Sequence, residues 1–378
     1  MSHSQTNQRV KVVITGGGTG GHLFAGVTIA REIMKRFGPE STYFFASLGE
    51  IEKRELPQTG IPFRLYGILP IKGKSILFQI KALFVALFNV FMIARDLYSI
   101  KPTAILGVGG FVSGPVIVAA YILKLFKLIP LQCITLLEQN AIPGLTNRWL
   151  SRFSDHIFLA FAGTQASFGP RLKTEVSGNP IRMEVRELAE KELKKDPKDS
   201  KKILIFGGSQ GARGLNQRVL AFLPMLLKQH PTLDYLHQCG PKELESSRIA
   251  YLALGLDTKK LVPFISDMAR AYRESDVIIC RAGSSTLSEL TFVGRPAILV
   301  PFPFAADNHQ EKNARHFEQK GAVRVILEST TDPEVWCREI SDLLTNEATR
   351  EKMQQALACL RTPNAQDTIV NILTHPGG

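Results

Sequence analysis

Three times in this chain an unbroken apolar run ends in glycine and restarts with helical spacing. The stretches are "ITGGGTGGHLFAG" (Ile14 to Gly26), "KKILIFGGSQGARGLNQ" from Lys201 and "SDVIICRAGSSTLSEL" from Ser275. Apolar runs without polar alternation are strands buried on both faces, and strands of that kind belong to parallel sheets whose crossovers are helices. Between these stretches the pattern recurs. Strands are expected at Val10 to Thr15, Thr42 to Ser47, Ala104 to Gly107 and Gln132 to Leu137, with "RPAILVPFP" as a further buried strand in the second half. Helical spacing runs from His22 to Phe37, from Ile76 and from Val116. A chain of 378 residues exceeds one ordinary core. Two doubly wound α/β domains follow, divided near "SGNPIR", with the charged stretch Glu184 to Lys202 as a loop or helix beside the boundary.

The formal charge of +12 points to an anionic partner: nucleic acid, a phosphorylated substrate or a membrane surface. Nucleic acid fits poorly, because the aromatic and basic interleaving of a strand-binding face is missing. Cys133, Cys239, Cys280, Cys337 and Cys359 are scattered without a C-x-x-C pair, which argues for reduced thiols and no zinc site. Met1 to Gln8 is polar and carries no apolar signal core. The run "ILFQIKALFVALFNVFMIA" (Ile76 to Ala94) has the length of a membrane span, yet Gln79, Lys81 and Asn89 interrupt it and Lys72, Lys74 and Arg95 flank it. A lysine near mid-span is expensive in lipid, so a helix lying on the membrane is favoured over one passing through it. Ile76, Leu77, Phe78 and Ile80 are the residues expected to face lipid, and a core helix is the competing reading for the second half of the run. The later run from Phe111 reads as a packed helix leading to a strand.

Gly16, Gly18 and Gly21 satisfy G-x-G-x-x-G between strand and helix, the context of a dinucleotide fingerprint. That fingerprint also wants an acid ending the second strand, whereas this strand ends "FFASLG" and the nearest acid is Glu50. What survives is physical: glycines admit close backbone approach, and helix-start amides favour negative charge. A tight turn would account for one or two glycines only. His22, in the first helical turn, can be a backbone-bonded helix-start residue, a general base or a diphosphate contact. "GILPIKGKS" (Gly67 to Ser75) misses the P-loop spacing by one residue and contains Pro70.

In the second half, Ser209 and bare amides stand at one helix start, and Ser284, Ser285 and Thr286 at another, with Glu289 about a turn on. Such a carboxylate could accept both hydroxyls of a ribose, although a well-capped helix with a first-turn acid would look the same. After the next buried strand, Asp307, Asn308, His309, Gln310 and Asn313 concentrate polar groups where open α/β sheets bind ligands. No Asp-x-Asp pair is present to hold a diphosphate through a metal, so helix dipoles and amides would stabilise a leaving diphosphate.

Taken together in order and spacing, "GGTGGH", "GGFVSGP", "EQN", "GLTN", "GNPIR", "GGSQGA", "RAGSSTLSE" and "AADNHQEKNA" resemble the MurG family of glycosyltransferase family 28 over nearly the whole chain. The resemblance implies the GT-B fold, two Rossmann-like doubly wound domains facing across a cleft. Residues 1–178 would bind the acceptor and associate with membrane, 179–361 would bind the donor, and a C-terminal helix about 362–378 would pack back on the first domain. It implies an inverting transfer of N-acetylglucosamine from UDP-GlcNAc to the C4 hydroxyl of MurNAc in lipid I, forming lipid II, without cofactor or metal. Ser209 would contact the diphosphate, Ile265 the uracil, Glu289 the ribose and Gln310 the GlcNAc. Thr19, Gly20, Gly21, Asn140 and Arg182 would line the same site, as would Ser284, Ser285, Thr286, Leu287 and Ser288. His22 and Glu138 are the candidate bases, His22 first, and the acceptor pyrophosphate would suit the N-terminal glycine loops. The implied setting is peripheral, on the anionic cytoplasmic face of the bacterial plasma membrane, with other cell-wall synthesis proteins as further partners. Leu137, Ala25, Phe302 and Phe304 depart from residues common in the family. A GT-B transferase with a different lipid acceptor would share the donor motifs.

Overall fold

A computed structural model describes residues 10–68, 76–170, 172–190, 201–208, 210–362 and 364–375; for 76–83, 189, 190 and 306 only the backbone is described. The chain divides into two compact units, Met1–Pro180 with Thr362–Gly378, and Ile181–Arg361. Each is a parallel sheet covered by helices.

In the first unit the strands are β1 (Val12–Gly16), β2 (Thr42–Ser47), β3 (Phe63–Tyr66), β4 (Ala104–Gly109), β5 (Cys133–Glu138), β6 (His156–Leu159) and β7 (Lys173–Glu175), in the spatial order β3-β2-β1-β4-β5-β6-β7. The helices are α1 (Gly20–Phe37), α2 (Glu50–Glu55), α3 (Ile76–Ile100), α4 (Ser113–Leu125) and α5 (Leu145–Leu150). The apolar runs behave as their composition demands, because alternate residues feed opposite faces. Val12 and Ile14 pack with Leu23, Ile29 and Ile33 of α1, while Val13 packs with Ile93 and Leu97 of α3 and Val116 of α4. The order reverses between β1 and β4, so crossovers leave to opposite sides and open a crevice at the carboxyl ends of those two strands.

The second unit holds α6 (Met183–Glu190), α7 (Arg213–Gln229), α8 (Leu244–Ala253), α9 (Met268–Glu274), α10 (Ser284–Val293), α11 (His309–Gln319), α12 (Pro333–Thr345) and α13 (Glu347–Cys359). Its strands are β8 (Lys202–Phe206), β9 (Asp234–Gln238), β10 (Leu261–Val262), β11 (Val277–Cys280), β12 (Ala297–Leu299) and β13 (Arg324–Val325), ordered β10-β9-β8-β11-β12-β13. The reversal here falls between β8 and β11. Phe222 of α7 stacks on the buried Trp336 of α12, ring centroids 5.3 Å apart, over the face lined by Ile203 and Ile205. The last helix, α14 (Ala365–Thr374), belongs to the first unit, where Arg36 of α1 bonds Asn371 at 3.0 Å and pairs with Asp367.

The apolar Ile76 run is α3, and among the described residues no helix is long and apolar enough to cross a membrane. Phe84, Leu87, Phe88 and Phe91 are exposed, while Asn89 turns inward and bonds the Val85 carbonyl at 2.7 Å. Lys72, Lys74 and the Gly67 to Ser75 near-motif beyond Ile68, and the side chains of Ile76, Leu77, Phe78 and Ile80, lie outside the described residues. The charged boundary stretch begins as α6; residues 191–200 are likewise outside.

His237 of β9 is fully buried and joined at both ring nitrogens: Nδ1 to the Tyr251 hydroxyl at 2.8 Å and Nε2 to Asn216 Oδ1 at 3.1 Å. Asn216 Nδ2 donates to the Cys239 carbonyl at 2.9 Å, which leaves its oxygen for the imidazole and fixes the Nε2–H tautomer. Burial pushes this histidine down to about 3, against an ordinary 6.5. Below pH 6.5 the unfolded chain therefore takes up a proton that the folded chain refuses. Stability present above that pH is lost as pH falls toward 3, with a slope of about 1.4 kcal/mol per unit from this residue. Urea midpoints between pH 7 and 4.5 are expected to show it, and His237→Asn to reduce the proton uptake by about one; equal uptake in both proteins would disprove the assignment.

Candidate active site

In the first unit, the loops after β1 and β4 meet at the switch point. A Cβ on Gly110 would overlap the Gly17 carbonyl, so the two backbones touch directly. Thr19 caps α1 by accepting the His22 N–H at 3.4 Å, with Gly20 and Gly21 as the first residues of that helix. His22 is half-buried, and its ring lies against the end of β4: a Cβ on Gly109 would sit 2.9 Å from Nε2. Sequence reasoning missed Glu52, the third residue of α2. Its carboxylate, 2% exposed, accepts from Gly18 N at 2.5 Å and from the Ser47 hydroxyl at 2.9 Å. The Gly18 amide is thus already spent on a carboxylate.

Glu138 ends β5 and is 1% exposed. Its Oε1 accepts from Asn140 N at 2.9 Å and Asn140 Nδ2 at 3.2 Å, and its Oε2 from Gly144 N at 3.1 Å and Asn147 Nδ2 at 2.9 Å. Burial raises its pKa although all four bonds act the other way. Four donors on two oxygens make Glu138 the fastening of the loop that carries Asn140. Leu137, its neighbour, faces the core.

In the second unit the predicted donor residues pair with each other. Arg182 clasps Glu289 in a fork, Nε to Oε1 at 2.6 Å and an outer nitrogen to Oε2 at 2.7 Å, and the Tyr272 hydroxyl donates to Oε2 at 2.9 Å. Tyr272 carried no signal in the sequence. Burial, reinforced by Glu289, holds the Tyr272 phenol far above its ordinary value, so it remains a donor. For Arg182, burial works against the charge and Glu289 more than offsets it, raising the guanidinium further. A carboxylate has about four acceptor positions, and three are filled here; a ribose would share Glu289 with Arg182 and Tyr272. The Arg182 side chain is 37% exposed and Glu289 only 4%, so the arginine forms the open side of the pair.

Glu289 sits on α10, whose cap, Gly283, offers no side-chain acceptor to the first-turn amides of Ser284, Ser285 and Thr286. The shielded Ser285 hydroxyl has no hydrogen-bond partner among the described residues. Leu287 packs inward, and Ser288 returns a bond to the Ser284 carbonyl at 3.1 Å. Gln310 is the second residue of α11, and its Oε1 accepts Phe302 N at 2.9 Å, which leaves Nε2 as the donor. Asp307 and Asn308 before it both have positive φ (53° and 54°), a strained pair of the kind concentrated at ligand loops. Ile265 is buried just beyond β10. Ser209 lies outside the described residues, but its flanking loop is fixed by Gln238, whose Nε2 donates to the Gly208 carbonyl at 2.7 Å.

With this geometry in hand, comparison with known proteins is specific. The Glycosyltransferase family 28 N-terminal domain matches residues 12–159 and the corresponding C-terminal domain residues 202–369. The UDP-N-acetylglucosamine–N-acetylmuramyl-(pentapeptide) pyrophosphoryl-undecaprenol N-acetylglucosamine transferase of Myxococcus xanthus is 37% identical over 96% of this chain and 92% of its own. The crystal structure of Acinetobacter baumannii MurG superposes with TM-score 0.73 at 31% identity, covering 96% of this chain and 99% of that one. UDP-GlcNAc 2-epimerase from Neisseria meningitidis shares the fold alone, with TM-score 0.67 at 16% identity over 96% of this chain and 99% of that one. Two parallel Rossmann-like sheets with these neighbours are the GT-B architecture, and the chain belongs to the MurG family of glycosyltransferase family 28.

Proposed function

We propose that this chain transfers N-acetylglucosamine from UDP-GlcNAc to the C4 hydroxyl of MurNAc in lipid I, with inversion, to give lipid II. The supporting observation is that the shared loops stand at the carboxyl ends of switch-point strands, backed by open helix starts and one buried, hydrogen-bonded carboxylate in the second unit. The second unit takes the donor. Glu289, steadied by Arg182 and Tyr272, accepts from the ribose, the amides of α10 face the diphosphate, and Gln310 Nε2 donates to the sugar. The first unit takes the acceptor. His22 removes the C4 hydroxyl proton as the oxygen attacks C1 and UDP departs. Amides and helix dipoles offset the charge on the leaving group. Glu138 is a positioning residue that holds Asn140, since its oxygens are committed to four donors.

The aromatic face of α3, together with exposed Leu125 at the end of α4, Phe126 just after it and Trp149, docks on the anionic cytoplasmic surface where lipid I resides. Trp149 and Tyr121 both pack edge-on to Phe153, ring centroids 5.1 Å apart, with Lys124, Arg148 and Arg152 as basic neighbours in this part of the chain.

UDP release from UDP-GlcNAc, followed with and without a lipid I analogue and in a chelator, tests the activity. Acceptor-dependent release is expected, and release independent of the acceptor would refute it. Glu289→Ala is expected to raise the KM for UDP-GlcNAc by about tenfold or more, the scale of one lost charged hydrogen bond; an unchanged KM would remove Glu289 from the ribose site. For His22→Ala, kcat should fall by about a hundredfold or more with little change in donor affinity, and retained kcat would reject it as base.

A further inference from the structure

We infer that Gln238 is a positioning residue for the donor diphosphate, acting through the backbone of the loop between β8 and α7; this rests on the reading that the second unit binds UDP-GlcNAc. Gln238 is the last residue of β9, the strand beside β8, and is 3% exposed. Its amide donates to the Gly208 carbonyl at 2.7 Å, and the Gly211 N–H closes on the same carbonyl at 2.9 Å. An untethered carbonyl in a phosphate loop can turn toward the anion and repel it. Bonded twice, this one cannot make that turn without losing both bonds.

The other side of the loop is held equally tightly. A Cβ on Gly211 would overlap the Cys239 carbonyl, and one on Gly240 would overlap that of Gln210, so the backbone just after β9 and the loop are in contact. The chain Tyr251 hydroxyl, His237, Asn216 and Cys239 carbonyl then ties the first turn of α7 to the end of β9. Consecutive residues of one strand thus serve opposite faces: His237 sets the helix and Gln238 sets the turn.

Gln238→Met keeps the length and removes the donor. Competitive inhibition constants for UDP and for uridine, measured on the full-length enzyme against UDP-GlcNAc, separate the phosphate contribution from the nucleoside. The UDP constant is expected to rise about tenfold with the KM of UDP-GlcNAc, while uridine and the KM of a lipid I analogue stay within about twofold. An unchanged UDP constant, or an equal rise for UDP and uridine, would overturn the inference. Glu289→Ala in the same assay is expected to weaken both ligands, because it acts at the ribose. If neither variant moves either ligand, the donor assignment of the second unit falls as well. Should Gln238→Met fail to fold, Gln238→Glu, which turns an acceptor on the carbonyl, is expected to show the same split.

Discussion

Backbone touching backbone, where no side chain would fit, is the constraint on which both sites rest. In the first unit it is Gly110 against the Gly17 carbonyl, and in the second Gly211 against that of Cys239. Parallel sheets place strand ends about 5 Å apart, and a Cβ on either loop would pry apart the crevice at the strand order's reversal. The glycines are therefore required by packing before any ligand arrives. The functional side chains follow from it, since His22 can rest on Gly109 only because β4 ends without a Cβ.

Three buried carboxylates then set the loops. Glu52, Glu138 and Glu289 are all buried, and burying an unpaired charge would be prohibitive. Each is satisfied differently. Glu52 takes one amide and one hydroxyl, Glu138 takes four amide hydrogens, and Glu289 takes a guanidinium fork and a phenol. Removing one partner from such a set costs more than the bond is worth, because the rest of the buried group is left unsolvated. These loops are consequently stiff, which suits residues that must meet a reacting centre at fixed distances.

What was legible in the sequence was whatever repeats locally. The strand, glycine turn and helix units appear as continuous apolar runs followed by helical spacing, and β1, β2, β4, β5, β8, β11 and β12 are where those runs lie. Not every strand was visible: β3, β6, β7, β9, β10 and β13 were missed, and of these β7, β10 and β13 have three residues or fewer, too few for a period to register. The candidate site divided along the same line. His22, Glu138 and Glu289 stand within glycine or polar motifs and were readable, whereas Glu52, Tyr272 and Gln238 matter through contacts 34, 17 and 30 residues away in the chain. The mutual pairing of Arg182 with Glu289, separated by 107 residues, was equally hidden, and it changes the meaning of both.

The two glycine loops look alike as sequence and differ in what their supports consume. In the first unit the support is a carboxylate, and it consumes a donor, the Gly18 amide. In the second it is a carboxamide, and it consumes an acceptor, the Gly208 carbonyl. The first arrangement adds a buried negative charge beside the loop and leaves it poorer in N–H groups. The second adds no charge and leaves the Gly208 carbonyl bonded twice, by Gln238 and by the Gly211 N–H. An anion bound at the first loop would face Glu52 across a single glycine; at the second the competing Gly208 carbonyl has been tied back. An uncharged ligand group is better suited to the first loop, and an anion to the second.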